Sequence, residues 1–164
     1  MRTRLLVLAV VAVLGTAAFA ADPKSPSALT VHDFQVTDIF GSASNLTDFA
    51  PEGKWLLIYV RANNRPSEIM LSELKADKYA SSFDRIVFVV GGIDAAEFQQ
   101  WIKKFPDLAN ARWYLDPKRE AFAKLDLHGV PVEMGIDGKK IEWRLSGMGS
   151  PSTFDSTLLT WTRQ

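Results

Sequence analysis

The chain contains no cysteine among its 164 residues. It therefore has no disulfide, no thiolate nucleophile, no thiol redox centre and no cysteine-ligated metal. Histidine is almost as scarce, because only His32 and His128 occur, far apart and in no spacing typical of metal ligands. From these absences we predict neither a metal site nor a bound cofactor.

Neither sign of charge is in excess, since 19 Lys and Arg residues balance 19 Asp and Glu residues. A protein held by nucleic-acid phosphates needs a basic stripe, and a helix lying on a membrane needs a basic face. The sequence has neither pattern, so we expect no nucleic-acid partner and no membrane-surface helix.

The N-terminus has the pattern of an export signal. Arg2 and Arg4 precede an apolar run over residues 5–14, and the small residues Ala18 and Ala20 fit a signal-peptidase site. The apolar run is shorter than the roughly 20 residues that span a membrane. We predict a signal peptide over residues 1–20, cleavage after Ala20, a periplasmic or secreted location, and no membrane attachment after cleavage.

The remaining chain is predicted to form one domain. Residues 21–28 are polar, rich in proline and aperiodic, which is typical of a short flexible leader. Residues 29–164 contain no repeat and no change in composition, and their length suits a single hydrophobic core.

Strand and helix patterns alternate through the first part of this domain. The unbroken apolar runs at residues 55–60 and 85–90 predict strands covered on both faces of a sheet. Apolar residues at helical spacing predict a helix over residues 98–105. A short strand over residues 111–115 is expected next, followed by a helix with Asp116 as its N-cap and Pro117 as its first residue.

A hairpin pattern follows near the C-terminus. Alternating apolar residues flank the turn residues Asp137 and Gly138: Val132, Met134 and Ile136 before the turn, and Ile141, Trp143 and Leu145 after it. A final helix is predicted to start at Ser150 and Pro151. With residues 29–36 as an additional edge strand, the expected fold is α/β, a mixed central sheet flanked by helices.

Four segments, in this order, resemble the thioredoxin-like superfamily, in particular its exported reductases and its peroxiredoxin-like branch. They are residues 45–60, 61–68, 114–131 and 135–139. The second stands where the family has its active-site turn, and the third ends at Gly129-Val130-Pro131, which matches the approach to the family's cis-proline. The resemblance implies a thioredoxin-like fold over residues 29–164 with a cis peptide bond before Pro131.

The sequence departs from the family at the active-site turn. Asn64 and Ser67 stand at the positions of the two cysteines, with Arg65 and Pro66 between them. The family's chemistry needs a thiolate at a helix N-terminus, which an amide and a hydroxyl cannot replace. If Asn64 and Ser67 instead form a helix start, the Asn64 side chain would cap the helix by accepting from the N–H of Ser67. We therefore predict no catalytic residue of the thiol–disulfide type.

The resemblance also implies a peptide groove that uses no sulfur. In the family, the residue before the cis-proline offers its backbone to an extended peptide. The candidate peptide-binding residues are Asn64, Arg65, Pro66, Ser67, Val130 and Pro131. The alternative readings are structural: a helix start for Asn64 and Ser67, a solvated surface residue for Arg65, and the start of an edge strand for Pro131.

Three functions stay open from the sequence. The first is a redox-inactive accessory module that binds an extended segment of a protein partner. The second is an enzyme that uses an external thiol of the glutathione type, with Ser67 or Asn64 hydrogen-bonding the thiolate. The third is a structural subunit of an exported assembly. We favour the first, because relatives that activate glutathione add a helical domain for which this chain has no room.

Overall fold

The computed structural model describes residues 29–74, 83–147 and 160–161. Within them, the strands are β1 Leu29–Thr30, β2 Gln35–Asp38, β3 Ala43–Asn45, β4 Lys54–Arg61, β5 Ile86–Gly91, β6 Arg112–Leu115, β7 Val132–Asp137 and β8 Lys140–Ser146. The helices are α1 Leu46–Phe49, α2 Arg65–Glu73, α3 Ala95–Ile102 and α4 Glu120–Lys124. Two 3-10 turns cover Phe83–Arg85 and Pro106–Leu108, and residues 160 and 161 are helical.

The strands form one mixed sheet in the order β1-β8-β7-β4-β5-β6-β2-β3. The central strands β4, β5 and β6 are parallel, and every other pair is antiparallel. Helices α2 and α3 supply the crossovers that parallel neighbours require. The α/β class and the mixed central sheet predicted from the sequence are confirmed.

Side chains from β4 build a hydrophobic core on each face of the sheet. Leu56, Ile58 and Val60 pack with α2 and α3 on one face. Trp55, Leu57 and Tyr59 pack with α1 and α4 on the other. The strand is therefore buried on both faces, as its unbroken apolar sequence predicts.

The prediction of one edge strand over residues 29–36 is wrong. This part of the chain forms two strands on opposite sides of the sheet, since β1 pairs with β8 and β2 pairs with β6. Between them, residues 31–34 cross one face of the sheet, and Val31 and Phe34 are buried in the core shared with α1 and α4. The apolar side chains that suggested a continuous strand are thus covered by the sheet face and not by strand pairing.

The hairpin of β7 and β8 is present, but its second strand does not keep the predicted alternation. Ile136 pairs with Ile141, whereas Gly135 pairs with Trp143, so Glu142 is an extra residue in β8. Such a bulge turns the following side chains to the other face. Ile141 consequently packs on the α4 side of the sheet and Trp143 on the α2 side.

Two predicted segments lie outside the described residues. One is the signal peptide with its leader, and the other is most of the helix expected from Ser150 onward. Trp161, near the end of that expected helix, donates its indole N–H to the carbonyl of Trp55 at 3.1 Å. Its ring also meets the Trp143 ring edge to face at 5.9 Å.

Candidate functional site

The turn that joins β4 to α2 has the helix start predicted from the sequence. Asn64 is the N-cap of α2, and its side-chain oxygen accepts from the N–H of Ser67 at 3.1 Å. Pro66 lies in the first turn of the helix, where its missing N–H leaves no hydrogen bond unmade. The preceding residue, Asn63, has a φ of 57°, a left-handed conformation that asparagine tolerates better than most residues.

The hydroxyl of Ser67 is fully committed to this turn. It donates to Asn64 Oδ1 at 2.9 Å and accepts from the backbone N–H of Arg61 at 3.2 Å. The side chain has no solvent exposure. Its side chain therefore supports the turn from beneath and presents no surface of its own to a peptide. For the same reason it has no free hydroxyl hydrogen to offer a thiolate.

Arg65 and Pro66 form the accessible part of the turn. Arg65 is exposed and Pro66 is half-buried. Among the described residues, the Arg65 guanidinium has no hydrogen-bond or ion-pair partner. An exposed and unpaired guanidinium is able to bind a carboxylate or a peptide carbonyl.

The loop before β7 lies at the same end of the sheet as this turn. β7 runs antiparallel to β4, and Val132 pairs with Tyr59 near the end of that strand. The Val130–Pro131 peptide bond is cis, the geometry expected from the resemblance. Pro131 is buried, and its carbonyl accepts from the N–H of Gly147 at 2.8 Å.

The backbone of Val130 is unpaired. Within the described part of the chain, neither its N–H nor its C=O makes a hydrogen bond. The residue is half-buried, so its polar backbone groups are partly withdrawn from water. Backbone groups in this state are suited to pairing with an extended peptide.

A cavity of about 300 Å³ opens beside Val130. Its lining residues come from the ends of β4 and β5, from the region of α4 and from the loop before β7: Tyr59, Arg61, Gly91, Gly92, Arg119, Phe122, His128, Gly129 and Val130. Ligands in open α/β sheets commonly bind at the carboxyl ends of the parallel strands, which is where this cavity lies. Apart from Val130, the sequence analysis assigned none of these residues to a site.

Tyr59 and Asp116 form a buried pair behind the cavity. The phenol donates to Asp116 Oδ2 at 3.0 Å, and the backbone N–H of Phe122 donates to the same oxygen at 3.0 Å. Burial, reinforced by the Asp116 charge, raises the pKa of Tyr59, so the phenol keeps its proton. Among the described residues no group bonds to Asp116 Oδ1, which is also buried.

This pairing corrects the prediction that Asp116 caps the following helix. Helix α4 begins at Glu120, and its N-cap is Arg119, whose φ is 57°. Residues 116–119 form a turn, in which the Arg119 N–H donates to the carbonyl of Asp116. The sequence contained one indication of the pair, since Tyr59 is the only residue with a hydroxyl group in the buried run at 55–60.

Solved structures of several thiol-active proteins superpose on most of this chain. A putative thiol:disulfide interchange protein DsbE from Chlorobium tepidum gives a TM-score of 0.64 at 16% identity, over 82% of this chain and 96% of that one. Peroxidoxin BcpB from Mycobacterium tuberculosis gives 0.64 at 17% identity, over 83% and 95%. This chain has a thioredoxin-like fold. The exposed lipoprotein thioredoxin Etrx1 from Streptococcus pneumoniae also matches, with a TM-score of 0.60 at 20% identity, over 79% of this chain and 99% of that one.

The thioredoxin-like fold is thus established by structure and not by close sequence relatives. No family model matches the chain, and no curated protein matches it. The fold occurs here in a sequence with no cysteine. The thiol chemistry after which the matching proteins are named therefore has no counterpart among the side chains of this chain.

A buried carboxyl group also lies close to the cis-proline loop of this thioredoxin-like fold. Glu133 in β7 is 4% exposed, and burial raises its pKa to about 8. The sequence pattern does not reveal it, because the alternation of Val132, Met134 and Ile136 marks one face of β7 as apolar and leaves Glu133 on the other. β7 is covered on both faces, so that side is buried as well.

Residues 29–74, 83–147 and 160–161 contain neither a metal-binding cluster nor a membrane-spanning helix. No group of three or more histidine, aspartate or glutamate side chains is arranged to hold a metal ion there. None of the helices in these ranges combines the length and apolar character of a membrane span. His128 is exposed and lies 3.6 Å from a carboxylate oxygen of Asp126.

Proposed function

We propose that this protein is an exported, redox-inactive binding module that holds an extended segment of a protein partner. The partner would lie against the thioredoxin-like turn and the loop before β7. The observation that carries the proposal is the contrast between the two parts of this site. Asn64 and Ser67, which stand at the positions of the family's cysteines, form a closed hydrogen-bonded pair, whereas the Val130 backbone has both of its polar groups unpaired within the described residues.

Main-chain pairing to Val130 would supply affinity without any chemical step. Arg65 would add a charged anchor, since it is exposed and has no partner among the described residues. Pro131 fixes where the paired strand begins, and Asn64 with Ser67 fixes the turn on which Arg65 stands. In this proposal each candidate residue contributes, but Ser67 and Pro131 are buried, so the accessible surface comes from Asn64, Arg65, Pro66 and Val130.

Export is part of the proposal and is supported by two independent observations. The first twenty residues have the composition of a signal peptide. The structurally similar proteins include one described as an exposed lipoprotein and one described as a secreted disulfide oxidoreductase. A mature protein beginning at Ala21 would be recovered from the periplasm or the medium and recognised by its intact mass.

The competing enzyme hypothesis receives less support from the geometry. A thiol cofactor would need a hydrogen-bond donor at the turn, and the Ser67 hydroxyl already donates to Asn64. The Ser67 side chain is also without solvent exposure, so of the two candidate residues only the half-buried Asn64 could offer a side-chain N–H to a thiolate. A structural subunit differs from a binding module mainly in how long the partner stays bound, so the same experiment addresses both.

The test is site-specific photocrosslinking in the exporting cell. A photoreactive residue replaces Arg65 in one protein and the exposed Lys103 of the α3 end in another. We expect position 65 to give a discrete adduct that maps to one segment of one partner, and position 103 to lack that adduct. With the photoreactive group moved to position 130, Arg65→Glu should reduce the adduct strongly, and Lys103→Glu should not.

Two results would contradict this proposal. One is the same adduct from positions 65 and 103, which would indicate contact without a defined surface. The other is an adduct that both charge reversals leave unchanged, which would place the interface elsewhere on the domain. Circular dichroism of each variant first establishes that it remains folded.

A further inference from the structure

The cavity beside Val130 carries two guanidinium groups with no carboxylate partner. Arg61 and Arg119 both line it. Within the residues that the structure describes, neither side chain forms an ion pair. A guanidinium matches a carboxylate in shape and offers it two parallel hydrogen bonds. Two of them around one small cavity are suited to an anionic group.

Both arginines are positioned by the protein and not left free. The stem of Arg61 lies over Gly92, where a Cβ would come within 2.9 Å of Arg61 Cγ and 3.0 Å of Nε. The absence of a side chain at Gly92 is therefore what admits Arg61. The guanidinium of Arg119 lies 4.6 Å from the centre of the Phe122 ring, which holds it by a cation–π contact.

No carboxylate side chain is among the described residues that line the cavity. Asp116 accepts from Tyr59 and from the N–H of Phe122, and Asp126 lies beside His128. Because Tyr59 donates its proton to Asp116, it cannot donate to a ligand. A ligand in the cavity would therefore find cationic donors and an aromatic wall, and would itself have to supply the negative charge.

The cavity and the proposed peptide site share Val130. A volume of about 300 Å³ is at the small end of ligand sites. It suits the end of a chain better than a bulky ligand. A peptide paired with Val130 and running toward Arg61 would reach the two guanidiniums with its last residue.

We propose that this cavity binds the C-terminal carboxylate of an extended peptide, with Arg61 and Arg119 as its ligands. This inference rests on the proposed function and specifies the partner segment as a C-terminal tail. Phe122 and the Val130 side chain would then contact the side chain of the last residue. The α-carboxylate, present in every protein, becomes the feature that the site selects.

The test compares two chemical forms of one peptide mixture. Randomised N-acetyl hexapeptides are prepared with a free C-terminal carboxylate and, separately, as C-terminal amides. The purified full-length protein is immobilised, and retained peptides are quantified by mass spectrometry. We expect retention of the acid form and at least a tenfold lower retention of the amide form. The most enriched acid peptide then serves as the probe for titration calorimetry.

The variants separate this inference from the function on which it rests. Arg61→Gln and Arg119→Gln should each lower the affinity for the probe peptide about tenfold or more, and should leave the affinity for its amide form unchanged. Arg65→Glu should lower the affinity for both forms equally, since Arg65 is proposed to contact internal residues of the peptide. Lys124→Gln, an exposed cation of α4 outside the cavity lining, should leave both forms unchanged.

Three outcomes would overturn the inference. If acid and amide forms bind equally and both respond to Arg65→Glu, the extended segment is recognised internally, and only the proposed function survives. If N-acetylvaline or inorganic phosphate displaces the probe peptide at the probe's own concentration, the cavity is a site for small anions. If neither peptide form is retained while the photocrosslinked partner is still captured, that partner does not enter by its C-terminus.

Discussion

Removal of one oxygen atom, by the substitution Tyr59→Phe, tests the energetic role of the buried Tyr59–Asp116 pair. The phenol donates to Asp116 Oδ2 at 3.0 Å, and the Phe122 N–H is the other donor to that oxygen. Asp116 Oδ1 already lacks a partner among the described residues. The variant would therefore leave a fully buried carboxylate with one described hydrogen bond.

The expected loss of stability follows from these contacts. A hydrogen bond to a charged group contributes about 1.5–3 kcal/mol, and leaving a buried charge underpaired puts the effect toward the upper part of that range. For a domain of this size, such a loss lowers Tm by about 5–10 °C. The aromatic ring itself stays in place, so its edge-to-face contact with Phe122 at 5.6 Å is retained.

Urea denaturation followed by tryptophan fluorescence measures the change, and Tyr114→Phe is the matched control. Tyr114 stacks on Phe49 at 4.4 Å, and its hydroxyl has no partner among the described residues. The control should change the free energy of unfolding by less than about 0.5 kcal/mol. If both substitutions cost the same, the reasoning about the buried pair is refuted.

The same hydroxyl can be tested from the opposite side. A Cβ at Gly91 would overlap Tyr59 Oη, so Gly91→Ala should destabilise the wild-type protein. In the Tyr59→Phe background most of this overlap is absent, because the next atom, Cζ, would lie 3.2 Å away. The double variant should therefore be more stable than the sum of the single effects predicts. Strict additivity would contradict the geometry.

Two further substitutions test the β7 strand. Gly135→Ala would drive a Cβ into the Trp143 indole and should cost about 1–3 kcal/mol, whereas Gly129→Ala meets nothing within 4 Å and should be nearly neutral in thermal denaturation. Burial raises the pKa of Glu133 from 4.5 to about 8, so the folded state holds a proton that the unfolded state releases. The stability contributed by the protonated group is complete below about pH 4.5 and is lost as the pH rises to about 8. In urea titrations, Glu133→Gln should make the free energy of unfolding fall less steeply over this pH range. An unchanged dependence on pH would show that Glu133 is not the source of the decline.

The central part of the fold was predictable because its sequence is under one dominant constraint. β4 and β5 are buried on both faces, and only unbroken apolar runs satisfy that environment. The helix start at Asn64 was predictable for a local reason, since a cap acts on an N–H three residues away. The cap depends on one neighbour that is close in the chain, and the buried strands are recognisable from their own apolar sequence.

What the sequence could not reveal depends on partners that are distant in the chain. Asp116 looked like a cap because proline follows it, but its carboxylate is taken by Tyr59 and Phe122. The inward position of Trp143 depends on one extra residue in β8, which shifts the register without changing the apolar spacing. The cavity needs the ends of β4 and β5, the start of α4 and the loop before β7 together. No short sequence motif indicates that these four segments lie together.

The path of the N-terminal strands has a consequence for protection against aggregation. β1 pairs with Lys140 and Ile141 at the start of β8, and β2 pairs with the end of β6 on the opposite side of the sheet. Residues 31–34 tie the two strands together and are anchored by the buried side chains of Val31 and Phe34. A single proteolytic cut within residues 31–34 would disconnect β1 from β2 and weaken the pairing of both strands. Unpaired strand edges are templates for association with other chains. The integrity of one short segment of chain therefore affects strand pairing on both sides of the sheet.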